Sequence, residues 1–468
     1  MMSFRLNLTM LMLVATCARA QVPLIRGGAA KVDITPPVTE QGVPTYLNGD
    51  PVYLAGFDTN RPASSVHDPL YARALVLETG ETRVAIVSLD LVGFEYNDVL
   101  DARNLLPKEL EIDHMVVAST HNHNAPDVIG LWGFMNLKYP FFHLGINELY
   151  LEEVKLGIVE AVRQAVSELR DVRLRAGVAP TAELDLIHDS REPEIIDDWI
   201  TGVQGISGAE TVFTFVSWAN HPEALGRENT AITADFPKWV CDEIEERAGG
   251  TAIYVSGALG GLLSPNVPSE TFEAAEDLGR TVGQEILTAL VGQPFARRGE
   301  LSIDIDDEVD IFLFNPLFRI LNHLSETPRH DRELTSCGPF GRFCLDIRTE
   351  VDILSLATGT GRKLLQMVTV PGELVPELGY DIVNAMDGDV NVMIGLGNDE
   401  LGYIIPLNRF ECSDLDPRDC WPTSRPDYRW PLNPLDSGEH YEETMSVGSE
   451  AAPVITSAIY DLLNQAAD

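Results

Sequence analysis

The sequence predicts an α/β fold, a layered mixed-sheet core with flanking helices in one large domain. Strand-like and helix-like segments alternate along the chain, which is the pattern of layered α/β architecture. Hydrophobic residues make up 45% and charged residues 22%, enough apolar surface for a sizeable core. No Pro/Ser-rich linker, low-complexity tract or fixed-period repeat divides the 468 residues, so residues 21–468 are expected as one continuous domain with insertions.

Residues 1–20 read as a cleaved signal peptide. Arg5 supplies the positive start, and the apolar run 6–15 is too short to span a bilayer. Ala18-Arg19-Ala20 is a small-x-small cleavage site before Gln21. Cys17 also suits a lipoprotein box, although Thr16 before it fits one poorly. Cleavage removes Arg5 and Arg19 from the 33 basic residues, leaving 31 − 72 = −41. A secreted or periplasmic, soluble protein is expected. Such acidity repels phosphate backbones, which excludes nucleic acid as a partner, and no protein partner is implied.

The mature chain begins with a short strand in residues 27–36 and a Gly/Pro/Asn-rich loop to about Pro69. Residues 71–78 and 82–91 are β-rich runs joined by a Thr79-Gly80-Glu81 turn, and 97–110 reads as helix. Residues 114–119 form a short buried strand ending just before His121, at the edge where open α/β sheets place their sites. A loop over 131–144 carries Trp132, Phe134, Met135, Tyr139, Phe141 and Phe142. An amphipathic helix follows over 147–169, with Leu151, Val154, Ile158, Ala161, Val162 and Ala165 at helical spacing.

Strands are expected at 172–179, 212–218, 252–256, 351–356, 364–370 and 392–396, with helices at 235–247 and 272–291. Residues 310–343 form an apolar and irregular insertion, either core packing or a greasy wall for a substrate. Of five mature cysteines, Cys337–Cys344 and Cys412–Cys420 flank loops and read as local disulfides. Neither pair has CxxC-like zinc spacing. Cys241 reads as a buried free thiol in a helix.

The chemistry concentrates at strand ends. His121 and His123 stand two apart, and on an extended segment both side chains share one side. Alone this is either a metal ligand with an acid/base partner or a pair of polar-loop histidines. His221 follows the 212–218 strand, Glu373 the 364–370 strand, and Tyr403 the loop after 392–396. Residues at several strand ends can converge on one mouth. Two imidazoles and a carboxylate make a catalytic zinc set that leaves a position open for water.

These segments resemble the neutral/alkaline non-lysosomal ceramidase family of zinc-dependent amide hydrolases. Thr120-His121-Asn122-His123-Asn124-Ala125-Pro126 is similar to that family's T-H-T-H-S-G-P, and Ser88-Leu89-Asp90 resembles its S-x-D. Ser190-Arg191-Glu192-Pro193 looks like N-R-S-P, and Leu263-Ser264-Pro265-Asn266 like D-V-S-P-N. Pro371-Gly372-Glu373 resembles P-G-E-F, Gly402-Tyr403 its G-Y, and His440-Tyr441-Glu442 its H-Y-E-G. The order of these short motifs, from about residue 28 to about 446, is more specific than any one of them.

The resemblance implies one Zn2+ held by His121, His221, Glu373 and Tyr403. It makes His123 the general base or proton shuttle and turns Arg191 and Tyr441 toward the carbonyl oxygen. It also implies an N-acylated lipid or related amphiphile as substrate, with transient contact with lipid aggregates. Departures include Asn122, Asn124 and Ala125 within the histidine motif and Leu262-Leu263 before Ser264. The family's C-terminal β-sandwich is not expected, because residue 468 falls about where the catalytic domain closes.

Other readings stay open. Arg191 lies among Asp189, Glu192 and Glu194 and could be an ion-pair partner, and Tyr441 could be a buried aromatic. Ser264 is a rival nucleophile, although no G-x-S-x-G elbow surrounds it. Asp90 reads as supporting or structural, and Asp235 orients a histidine or caps the helix after it. The same site would suit an esterase, a lactonase or a small-amide hydrolase. From a different class, the chain could be a non-catalytic secreted binding protein on a hydrolase scaffold.

Overall fold

The computed structural model of the protein describes residues 22–133, 145–191, 193–313, 315, 318, 332–333, 346–410 and 441–465. The expected leader, both expected disulfides, His440, Glu192, Phe134–Phe142 of the aromatic loop and most of the 310–343 insertion lie outside the described residues. The architecture is α/β, as the alternation of segments requires.

Three sheets form the core, and each contains one parallel pair of strands. The first sheet runs His114–Ser119, Thr82–Leu89, Tyr71–Thr79, Ile25–Asp33 and the short Arg170–Asp171. Its parallel pair is Thr82–Leu89 with His114–Ser119, in the register Leu89↔Ser119. The second runs Thr251–Ser256, Glu210–Trp218, Trp199–Ser207 and Arg173–Pro180, with Trp218↔Ser256 closing its parallel pair. The third runs Glu300–Phe312, Asp346–Ala357, Lys363–Val370 and Val390–Gly395, with Val370↔Gly395 closing the pair.

The inner faces of the three sheets meet in one cluster that includes Leu75, Ile86 and Val116, Phe213, Phe215 and Ile253, and Leu354, Met367 and Ile394. Helices cover the outer faces. Glu148–Ser167 packs its buried stripe of Leu151, Val154, Ile158, Ala161 and Ala165 on the first sheet. Its N-terminus is capped by the Asn147 side chain, which accepts from Tyr150 N. Asp235–Ala248 and Phe272–Leu290 cover the second sheet, and Pro376–Ala385 and Ala451–Gln465 the third. The parallel strands are thus buried on both faces, which is why they read as unbroken apolar runs such as Met115-Val116-Val117-Ala118.

Some elements depart from the sequence expectation. The helix at 97–110 ends at Leu105, and a short 3-10 turn, Lys108–Leu110, follows Pro107. The strands Trp199–Ser207 and Glu300–Phe312 and the helices Pro376–Ala385 and Ala451–Gln465 are additional to those expected. Glu300–Phe312 carries Asp304, Asp306, Asp307, Glu308 and Asp310, residues poorly suited to strands, and a bulge between Asp306 and Val309 breaks its alternation. Residues 310–312 of the expected insertion belong to this strand. Ile311 and Leu313 pack in the core of the third sheet. Cys241 is a buried free thiol, pushed up to about 12 by burial. Among the described residues no helix is long and apolar enough to cross a membrane.

Candidate metal centre

The C-terminal ends of the three parallel pairs meet at one place. The first sheet delivers His121 and His123 after Ser119, the second delivers His221 after Trp218, and the third delivers Glu373 after Val370 and Tyr403 beyond Gly395. Glu373 and Tyr403 then pair directly, in a short parallel ladder of Glu373–Leu374 with Tyr403–Ile404.

His121 Nε2 lies 3.4 Å and His221 Nε2 3.1 Å from the same Glu373 oxygen. His121 Nδ1 donates to the Val92 carbonyl at 2.7 Å, which leaves Nε2 with a free lone pair toward Glu373. The ring nitrogens of His121, His123 and His221 lie within 4.8 Å of one another. Burial alone would raise the Glu373 carboxyl, but the charge and hydrogen bonds of His121 and His221 hold it well below the usual carboxylate range. His121 is raised, because the Glu373 and Glu223 carboxylates outweigh its burial.

The donor set fits a zinc ion. Tetrahedral zinc with bonds of about 2.0–2.1 Å sets its ligand atoms about 3.3–3.4 Å apart. The observed separations of 3.1 and 3.4 Å are close to that edge. Tyr403 lines the same cavity, its phenol raised well above its ordinary value by burial and the Glu373 charge. A neighbouring cation would be needed to ionise it.

His121 and His123 converge by a different route from the one their spacing suggests. The chain turns at His121, whose φ is +64°. Around it, Thr120 N bonds the Leu89 carbonyl and Asn122 N the Leu91 carbonyl, so the turn is held to the neighbouring strand. The two imidazole centroids are 4.9 Å apart. Asn122 Nδ2 donates to the Thr233 and Asp90 carbonyls, and Asn124 Nδ2 to Asp235. The two asparagines of the motif therefore clamp the turn rather than face the cavity. Asp235 accepts from Asn124, Ala224 N and Phe236 N. It ties the His123 segment to the residues after His221, a third role beside the two expected. Asp90 accepts from Tyr71 N, a structural role.

Ser264 and Arg191 stand one step back. Glu223 Oε2 is 3.3 Å from His123 Nδ1, and the other Glu223 oxygen accepts from Ser264 Oγ. The serine hydroxyl is thus turned to a carboxylate and not to the imidazole a nucleophile needs. Burial pushes His123 down to about 4, while the His123 interaction draws Glu223 down to about 2 against its own burial. Arg191 pairs with Glu442, a buried carboxylate adjoining Tyr441. Tyr441 lines the cavity with its ring edge-on to Tyr403.

The cavity measures about 40 Å³ and is walled by Val92, Ile129, Leu131, Trp132, Phe318 and Met445 around the polar groups. Leu131, Trp132 and Phe318 are the members of the two apolar segments that reach it among the described residues. Glu223 and Glu400 also belong to the site; the signal that could have found them is their position, Glu223 two residues after His221 and Glu400 three before Tyr403. A second group, His114, Glu350 and Asp352, also gathers metal-type donors. There Arg103 and Asn398 already bond the carboxylates, so the cluster is read as a buried link between the first and third sheets.

This arrangement of sheets matches a solved structure, neutral ceramidase from Pseudomonas aeruginosa, at TM-score 0.66. The chain has a neutral ceramidase-like fold. The match has 17% identical residues and covers 95% of this chain and 74% of that one. A structure of ceramidase complexed with C2 matches at TM-score 0.67 and 16% identity, over 95% of this chain and 75% of that one. No protein-family model matches the chain, and no curated protein matches it in sequence. The ceramidase-like likeness therefore rests on tertiary structure and on the order of short motifs.

Proposed function

We propose that the protein is a zinc-dependent amidohydrolase, secreted or periplasmic, acting on an N-acylated lipid or related amphiphile. The observation that carries this is the convergence of His121 and His221 on one oxygen of Glu373, at the edge lengths of a tetrahedral zinc site. The ceramidases that share the fold support the choice of an amide over other bonds.

His121, His221, Glu373 and Tyr403 would hold the ion. Zinc there would polarise a carbonyl and lower the pKa of water to about 7. His123, which lines the cavity with Nδ1 3.3 Å from Glu223, takes a proton from the attacking water and passes it to the departing amine. The Tyr441 hydroxyl stabilises charge developing on the carbonyl oxygen, an effect of about 2.7–4 kcal/mol for one good donor. Arg191 fixes Glu442 behind it. The apolar wall accepts the uncharged part of the substrate next to the reacting bond and excludes bulk water.

Parallel assays on N-acylsphingosine, short N-acyl amines and p-nitrophenyl esters test the reading. Amide turnover is expected, and turnover of esters alone would refute it. Metal analysis separates an enzyme from a binding protein on the same scaffold. A protein that carries no zinc, and whose activity toward every one of these substrates is untouched by chelator, is not the enzyme described here.

A further inference from the structure

One apolar wall of the cavity has no secondary structure of its own. Ile129, Leu131 and Trp132 line it, yet residues 127–133 belong to no helix or strand. Their backbone is shaped by one buried side chain. Asp127 Oδ1 accepts from Ile129 N at 3.0 Å and from Gly130 N at 2.7 Å, and Oδ2 accepts from Trp132 N at 2.8 Å. Asp127 is out of solvent, and its own N–H donates to the Tyr53 carbonyl at 2.8 Å. Val128, next to it, packs in the core under the first sheet. The carboxylate is thus rooted in the core and reaches forward along the chain to the wall.

An aspartate that accepts from the N–H groups just after it is a common turn device. This one holds a longer stretch, and the aromatic segment 131–144 has both its ends against it. Leu131 to Gly133 leave from it, and Gly145 returns to it. Gly145 has φ +87°, and a Cβ there would lie 2.4 Å from Asp127 Oδ2 and 2.8 Å from Gly133 N. Elsewhere the wall backbone is tied by Asn60 N, which donates to the Trp132 and Gly133 carbonyls. Burial pushes the Asp127 carboxyl up to about 6 against the pull of the N–H groups. At neutral pH it is therefore ionised and accepts on both oxygens. A side-chain amide in its place has one accepting oxygen, and its NH2 would meet the Trp132 N–H donor to donor.

We propose that Asp127 is a positioning residue for substrate selection, whose carboxylate sets the apolar wall by holding the backbone of Ile129, Leu131 and Trp132. This rests on the amidohydrolase reading for the substrate, though not for the wall. Among the described residues Asp127 makes no hydrogen bond to the groups given to the metal, the proton or the carbonyl. Loosening the wall should therefore weaken apolar binding and spare the bond-breaking step. General destabilisation acts differently: it lowers the fraction of active enzyme, and so kcat for every substrate alike, without moving KM.

The test uses two matched substrate pairs, N-hexanoyl against N-acetyl on one amine, and a hexylamide against a methylamide of one acid. Each is run with wild type, Asp127→Asn and Gly145→Ala, with zinc content and thermal melting followed throughout. Wild type should favour the longer member of at least one pair. In that pair Asp127→Asn should raise KM for the longer substrate roughly 10-fold, the low end of what one apolar pocket contact is worth. Its kcat, its zinc and its KM for the shorter substrate should be little changed. Gly145→Ala crowds Oδ2 without removing it and should move the same KM in the same direction, and it decides the question if Asp127→Asn does not fold. A wild type with no preference in either pair, an unchanged KM for the longer substrate, or an equal loss of kcat toward both members overturns the proposal. If wild type turns over no amide, the amidohydrolase reading fails instead. Calorimetry with the same amides then tests the wall alone, and equal affinity of wild type and Asp127→Asn for the longer ones overturns it.

Discussion

Gly56→Ala should disable the proton carrier while leaving the metal in place. Gly56 has φ +95°, and a Cβ built on it would lie 2.3 Å from His123 Cγ, 2.4 Å from Cβ and 2.6 Å from Cα. Because the last of these is backbone, rotating the imidazole does not relieve the clash. Ordinary van der Waals separation requires at least about 3.4 Å, so the His123 segment must move by roughly 1 Å or Gly56 must retreat. A misplacement of that size at a reacting group costs roughly 10²-fold in rate. The left-handed conformation costs alanine a further ~1–2 kcal/mol, and overpacking ~1–3 kcal/mol, so destabilisation by about 2–5 kcal/mol is expected. The assay is steady-state amide turnover below the melting temperature, with zinc measured on the same preparation. Near-wild-type turnover would refute the placement of His123. Parallel loss of zinc would show that His123 is itself a ligand, as its closeness to His121 and His221 permits.

Further outcomes follow from the same geometry. His121→Ala should remove both metal and turnover, whereas His123→Ala should remove turnover and spare the metal, read by metal analysis beside activity. Chelation should abolish activity and lower the melting temperature, and added Zn2+ should restore both, since an ion bound only by the folded state stabilises it. Glu223→Gln should lower kcat by roughly 10- to 100-fold with KM little changed, and Ser264→Ala by less, because each acts through the orientation of His123. Burial raises the Asp90 carboxyl from 3.8 to about 6 despite the nearby Arg73 charge. Its stabilising contribution is therefore full below about pH 3.8 and is lost as pH rises through about 6. Asp90→Asn keeps the acceptor for Tyr71 N and should remove that loss. In urea unfolding at pH 4 and pH 7, its stability relative to wild type should rise by up to about 2.2 × 1.36, or 3 kcal/mol. A pH-independent difference would refute the assignment.

Much of this was legible in the sequence because it is local. The continuous apolar runs before His121 and after Asn391 announced strands buried on both faces. The 3.6-residue stripe from Leu151 to Ala165 announced a covering helix. Strand ends carrying histidine, carboxylate and tyrosine marked where a site could form, and the order of those motifs held a ceramidase-like likeness that whole-chain sequence comparison does not reach. Glu300–Phe312 was not legible, because its stability comes from pairing with Asp346–Ala357, while its own acidic residues argue against a strand.

The opposite holds for the geometry of the site. That three parallel pairs bring their C-terminal ends to one point depends on how the sheets pack around Leu75, Phe213 and Met367, and no segment of the chain encodes that alone. Tertiary structure also turned Ser264 toward Glu223, set Arg191 on Glu442 and replaced an extended His121–His123 segment by a turn. It placed Glu400 in the cavity, through a gap that exists because Gly93, more than three hundred positions earlier in the chain, has no side chain. The residue types that can do chemistry were written locally. Which of them face one another was decided by long-range packing, since distances of 3–4 Å between distant segments are set by the shape of the whole core.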